Sequence, residues 1–259
     1  MRIASYIVIA VFCLMSIVGC QMSFWPKADV VDDVMIERYD RIQSRFLTTG
    51  DFSALQQMNT QYPMETRTLI ENVLSIGNVD QEDINERLFK FYQDTILQNI
   101  ILEVGKQYAA MDDIKDEMAS AFAFLKDEIS GFEIPKVYTQ IGALGSSIII
   151  GDGNVGICLD KYLGSDYSVY KKYYAASQTK SMTRENIVPD CLLFYLVSVY
   201  PLKNFETAPQ KVRDNYIGKI MYVVNKALDK PFYDTPDTHK VEEFHKKHPD
   251  YTLRKILEQ

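Results

Sequence analysis

The sequence predicts an α+β fold: a mostly helical single domain with a small antiparallel sheet in the middle, carried behind an export leader. Three observations predict it. Apolar residues recur at helical spacing from about residue 30 to 129, a glycine-punctuated, β-rich stretch follows from Pro135 to Leu159, and helical spacing returns from Ile187. Strand and helix never alternate, as a parallel α/β sheet would require, so the sheet is expected to sit as one insert between helical layers. With 259 residues, 47% of them hydrophobic and 24% charged, the chain can bury a sizeable core. Its net charge of −7 disfavours a nucleic-acid partner, which would need a basic face to displace counterions from phosphates.

The N-terminus sets the compartment. Arg2 precedes an apolar stretch from Tyr6 to Val18, broken only by Ser16. That is the length of a signal-peptide core and too short to span a bilayer, which takes about 20 residues. The stretch ends in Ile17-Val18-Gly19-Cys20, which resembles the lipobox of bacterial lipoproteins, whose cysteine carries diacylglycerol and becomes the mature N-terminus. Residues 1–19 are therefore expected to be a lipoprotein signal peptide, residues 20–28 a lipidated tether and residues 29–259 the folded domain. Cys20 is the lipidation site, and the membrane is contacted through its acyl chains. The expected location is the cell envelope, facing the periplasm rather than the cell surface. Of the cysteines left in the domain, Cys158 and Cys191 sit in apolar runs. Buried free thiols are expected, with a disulfide between them as the alternative.

Along the domain, apolar residues at 31, 35, 39, 42 and 46 predict a first helix stopped by Gly50. Further helices are expected from Ser53 to about Gln61 and from Pro63 to Ile76. Asp80 or Asp83 can cap a helical region whose apolar stripe runs from Ile84 towards Tyr108. Ile114, Met118, Ala121, Phe122, Leu125 and Ile129 make the cleanest amphipathic stripe, closed by Gly131. Val137–Ile141, Ser147–Ile150 and Val155–Leu159 then predict strands, the last two joined by the turn cluster Gly151-Asp152-Gly153-Asn154. Pro189 fits the first turn of an apolar helix from about Ile187 to Val199, stopped before Pro201. Val212 to Ala227 defines another, and a short helix is expected after Asp250.

The chemistry motifs are mostly exclusions. Zinc peptidases need two imidazoles one helical turn apart with a carboxylate between them, and that HExxH pattern is missing. His239, His245 and His248 all lie near the C-terminus beside lysines and are expected on a solvated surface. No GxSxG elbow surrounds a serine, and no phosphate loop or complete calcium loop is present. No metal or cofactor is expected. The tyrosines are abundant, with Tyr162, Tyr167, Tyr170, Tyr173 and Tyr174 crowded together, and their rings are expected to pack the sheet against the following helix. Gly164 and Asp166 are expected to form a turn and a helix cap before Val169, and Asp160 to cap in the same way.

The run Val155-Gly156-Ile157-Cys158-Leu159-Asp160-Lys161-Tyr162-Leu163-Gly164-Ser165-Asp166-Tyr167, with Tyr170 and then Ile187-Val188-Pro189-Asp190, resembles the signature of the gliding-motility lipoprotein B (GldB-like) family of Bacteroidota. Tyr62-Pro63, Phe91 with Asp94, Ala121-Phe122, Ile134 to Thr139, Tyr200-Pro201 and Gly218-Lys219 before Tyr222 fall in the expected order, and the resemblance fades after about Leu228. It implies a distantly zincin-like arrangement in which the helix Ile187–Val199 stands where HExxH would lie. That helix carries Pro189, Asp190 and Cys191 but no histidine, so peptidase activity is not implied. The resemblance implies a non-catalytic envelope lipoprotein that works by contact with an envelope protein, with Asp160, Tyr162, Gly164, Asp166, Tyr167, Tyr170 and Asp190 as the candidate groove. The alternatives are a hydrolase using Asp160, Asp166 and Asp190 as paired carboxylates, and a tyrosine-lined glycan- or peptide-binding module.

Overall fold

The structure, a computed structural model, describes residues 35–151 and 153–258. The leader, Cys20, the tether, the start of the first apolar stripe and Asp152 of the hairpin turn lie outside the described residues. Strand β1 (Ile36–Glu37) comes first, then α1 (Tyr39–Thr49), α2 (Phe52–Gln61), α3 (Pro63–Arg67, widening into a π-helical stretch over Thr68–Val73), α4 (Ile84–Phe91), α5 (Thr95–Gln107) and α6 (Asp112–Glu128). The sheet is completed by β2 (Lys136–Gln140), β3 (Ile148–Gly151) and β4 (Asn154–Cys158). After a 3-10 turn at Leu159–Lys161 come two short helices, α7 (Tyr170–Tyr173) and α8 (Ala176–Thr179), then α9 (Ile187–Val199), α10 (Gln210–Ala227), α11 (Pro236–Lys247) and α12 (Leu253–Glu258). Among the described residues, no helix is long and apolar enough to cross a membrane.

The α+β class and the long helices follow the sequence pattern. All six residues of the stripe on α6 are buried, and α9 covers the predicted range with Pro189 in its first turn, where a missing N–H costs nothing. One helix begins later than periodicity implies, and one apolar stripe is divided between two helices. The first starts at Tyr39, because Ile36 and Glu37 are drawn into a strand pairing with Val137 and Tyr138. The region from Ile84 towards Tyr108 breaks after Tyr92, because the Asp94 carboxylate accepts from the amides of Ile96 (2.8 Å) and Leu97 (3.2 Å) and so starts a second helix. Asp83 precedes α4 without capping it and pairs with Arg87 instead (2.7 Å).

The sheet is mixed rather than antiparallel. Its order is β1-β2-β4-β3, with β1 and β4 both parallel to β2 and only β3 antiparallel to β4. The hairpin expected at residues 151–154 is present, with Gly151 opposite Asn154. The chain leaving β2 first runs to the far edge as β3, and the hairpin then returns β4 into the place beside β2. Gly156 makes that neighbour possible: a Cβ there would meet the Tyr138 ring at 2.5 Å.

Helix α1 is fastened to the end of β2 by side chains that imitate a strand. The buried Gln43 amide donates to the Ile141 carbonyl (2.8 Å) and accepts from its N–H (2.9 Å), and Thr139 donates to Asp40. Helix α9 packs on β3 and β4. The core between these layers is rich in tyrosine: Tyr39, Tyr92, Tyr108, Tyr162 and Tyr170 are among the largest fully buried side chains. Each hydroxyl is satisfied, Tyr39 by Thr66 (3.0 Å), Tyr92 by the Ile141 carbonyl (2.6 Å) and the others as described below, which removes the cost of burying it.

Candidate functional site

The stretch from Leu159 to Tyr174 leaves the sheet at β4 and passes under the loop of residues 141–147 that joins β2 to β3. In that loop Ala143 and Leu144 both adopt left-handed backbone angles, φ +51° and +66°, which cost a non-glycine residue about 1 kcal/mol or more each. The signature side chains hold it there. Asp160 is fully buried; one carboxylate oxygen accepts from the Gly142 amide (2.7 Å) and the other from the Leu144 amide (2.5 Å). Burial raises the Asp160 pKa, while the two amides act the other way by favouring the ionised form. On the same loop, the Tyr174 hydroxyl donates to the Leu144 carbonyl and takes a hydrogen bond from Lys161 Nζ (2.9 Å), which also lies 4.0 Å from the centre of its ring.

A second set of bonds ties the same stretch to the helices. Tyr170 donates to the Asp160 carbonyl (2.6 Å) and accepts from the Leu163 amide (2.9 Å). Tyr108, at the end of α5, donates to the Tyr162 carbonyl (2.5 Å). The Tyr162 hydroxyl donates to Asp190 in the first turn of α9 (2.8 Å). Burial pushes the Asp190 pKa up to about 6, with the hydroxyls of Tyr162 and Tyr233 opposing the rise. The Tyr233 hydroxyl approaches this carboxylate without reaching hydrogen-bond geometry and is buried with no partner.

The predicted residues are therefore brought together only in part. Asp160, Tyr162 and Tyr170, all buried, and the half-buried Asp190 form one continuous network. Tyr167 is half-buried and packs edge-on against Tyr170 at 5.1 Å. Gly164 takes φ +110° in a turn, as expected, and its amide bonds to the Met182 carbonyl (3.0 Å). Asp166 is not a cap: it is exposed, and α7 begins at Tyr170 without any side-chain cap. Nor does Asp160 cap a helix, since both its oxygens face the 141–147 loop.

The three aspartates do not share a cleft. Asp160 has no exposed surface, Asp166 stands on an outer turn, and no hydrogen bond joins either to Asp190. The tyrosine rings of the signature mostly pack inside the fold, and only Tyr173 is largely exposed, at 56%. Cys158 and Cys191 are buried free thiols, and burial raises the pKa of both, leaving them poor nucleophiles. His239 and His248 are exposed, the first paired with Asp234 (2.6 Å) and the second stacked on Phe244, while the half-buried His245 meets the Tyr222 hydroxyl (2.7 Å). Among the described residues, no group of three or more His, Cys, Asp or Glu side chains is placed to hold a metal ion. Sequence reasoning missed Tyr108 and Gln43, which complete the network from residues far upstream. No local spacing signals a contact between residues 54 or 98 positions apart.

The family described as "Gliding motility protein GldB" matches residues 25–242 of the chain. The match runs past Leu228, where the resemblance to the signature fades, and into α11. No curated protein matches the chain, and no solved structure does either, so the zincin-like arrangement has no structural relative to support it.

Proposed function

The chain belongs to the gliding motility protein GldB family, and from that premise we propose that it is a non-catalytic envelope lipoprotein, anchored through Cys20 and acting by contact with a protein partner on the periplasmic side. The observation that carries this reading is the disposition of Asp160. A carboxylate with no exposed surface, whose two oxygens are both held by backbone amides, cannot reach a substrate. The stretch of greatest sequence specificity thus builds the fold and stiffens the 141–147 loop, which leaves the outer surface as the part that acts. Affinity purification of the tagged, lipidated protein from its native envelope tests the reading. A defined envelope protein should co-purify in stoichiometric amount, and a protein recovered alone under mild solubilisation contradicts the proposal.

The hydrolase reading keeps one observation in its favour, namely Asp190, whose pKa of about 6 lies in the range of a general acid or base, beside the unpaired Tyr233 hydroxyl. Turnover in a broad hydrolase screen that Asp190→Asn abolishes without unfolding the protein would move the assignment to that reading.

A further inference from the structure

The sequence element Gly218-Lys219 is only half explained by packing. Gly218 lets α11 close on α10, since a Cβ there would meet Asp237 at 2.7 Å. Lys219 serves no such purpose. It is half-buried, and among the described residues it has neither an acidic partner nor a hydrogen bond. Burial alone lowers its pKa. Long charged side chains lay their stems on apolar surface and keep the amine free, so Lys219 presents a cation without a counter-charge beside apolar side chains.

Lys219 opens into a cavity of about 250 Å³ between α10, α11 and α12, lined by Asn215, Lys219, Lys240, Val241, Phe244 and Ile256. Val241 and Ile256 are buried and give it an apolar floor, and Phe244 is 36% exposed at its wall. Lys240 brings a second positive charge, shared with Asp237 (2.7 Å). The volume lies just below the roughly 300 Å³ at which pockets for drug-sized ligands begin, and so suits a small group.

We propose that this cavity binds an apolar carboxylate, with the acid on Lys219 and the Asn215 amide and the hydrocarbon body against Val241, Phe244 and Ile256. Such a ligand supplies the counter-charge that Lys219 lacks and covers apolar surface in the same step. The same chemistry is offered by a free short-chain or aromatic acid and by the C-terminal residue of a polypeptide ending in Leu or Phe.

Heteronuclear NMR titration of the full chain in detergent separates these sources. The probes are hexanoate, 4-phenylbutyrate, the uncharged hexanol, and a hexapeptide ending in Leu with either a free or an amidated C-terminus. The acids should shift resonances of residues around Lys219 and Phe244, and hexanol should bind about tenfold more weakly, as expected for loss of a charge-assisted hydrogen bond. Lys219→Met, which keeps most of the apolar stem, should weaken acid binding about tenfold while leaving hexanol binding and melting temperature unchanged. Lys240→Gln, on the exposed rim, serves as a second variant with a smaller loss. Preference for the free-terminus peptide over both small acids identifies the ligand as a partner's C-terminus, and the reverse identifies a free acid. Equal binding of hexanoate and hexanol, or acid binding unaffected by Lys219→Met, overturns the proposal. So does the absence of any shift near the cavity with all five probes.

Discussion

The Tyr162 hydroxyl donates to the carboxylate of Asp190 across 2.8 Å, so that the turn leaving the sheet is locked to the first turn of α9. This bond stabilises the ionised form of a carboxylate that burial would otherwise keep neutral. It joins two segments that lie 28 positions apart, both within the residues that the family matches.

The pH dependence of stability should report on this pair. Asp190 titrates at about 6 in the folded chain, above its ordinary 3.8. A raised folded pKa means that the folded state holds the proton more tightly, so this contribution is fully present below about pH 4 and lost as pH rises through 6. The loss is at most about 3 kcal/mol. Asp190→Asn should remove that slope, making the variant gain on the wild type between pH 4 and pH 7. Urea denaturation of both proteins at pH 4.5 and 7.5 measures it, and a difference that does not vary with pH would exclude Asp190 as the source.

Asp160→Ala should be severely destabilising. It strands the amides of Gly142 and Leu144 inside the protein and frees a loop with two left-handed residues, a loss on the order of 2–4 kcal/mol. Chemical denaturation gives the magnitude. Hydrogen exchange should show residues 141–147 losing protection first, and unchanged protection there would argue that Asp160 does not hold the loop.

Asp166→Ala should behave differently although it lies in the same signature. The side chain is exposed and caps nothing, so stability should change by no more than about 0.5 kcal/mol. A larger drop in melting temperature would show that the side chain has a role in the fold. Unchanged stability with loss of the co-purifying partner would place Asp166 in the contact surface.

Cys20→Ala tests the anchor. The variant should accumulate as unprocessed precursor and fail to incorporate labelled fatty acid, while the wild type partitions with membranes. Normal processing of the variant, or a wild type recovered wholly in the soluble fraction, contradicts lipidation at this position.

The elements legible in the sequence are those whose cause is local. The stripe on α6, Pro189 at the start of α9 and the turn between β3 and β4 each depend on residues a few positions apart, and each is found where spacing puts it. What escaped is set by distant partners. Strand β1 has only two residues and no pattern of its own, and it exists because β2 lies beside it, 101 positions later. The parallel pairing of β2 with β4 depends on the path of the connecting loop, which composition does not encode. The site shows the same division. The stretch from Asp160 to Tyr170 stood out by its residues, but the acceptors and donors it engages are backbone atoms of Gly142 and Leu144 and side chains on α5 and α9. Asp166 looked like a cap by its distance from Val169, yet the Gly164 turn, bonded to Met182, delays the helix to Tyr170.

The described chain enters its fold through β1, and this has a mechanical consequence. Any pull transmitted from the N-terminal side arrives first at the two rungs that pair Ile36 and Glu37 with Val137 and Tyr138. Directly behind them, Arg38 grips Asp40 (2.8 Å) and the carbonyl of Tyr108 (2.8 Å), while Asp40 is bound in turn by Thr139. A force applied there would load a strand of only two residues before it reached a clamp fastened to both the sheet and the end of α5.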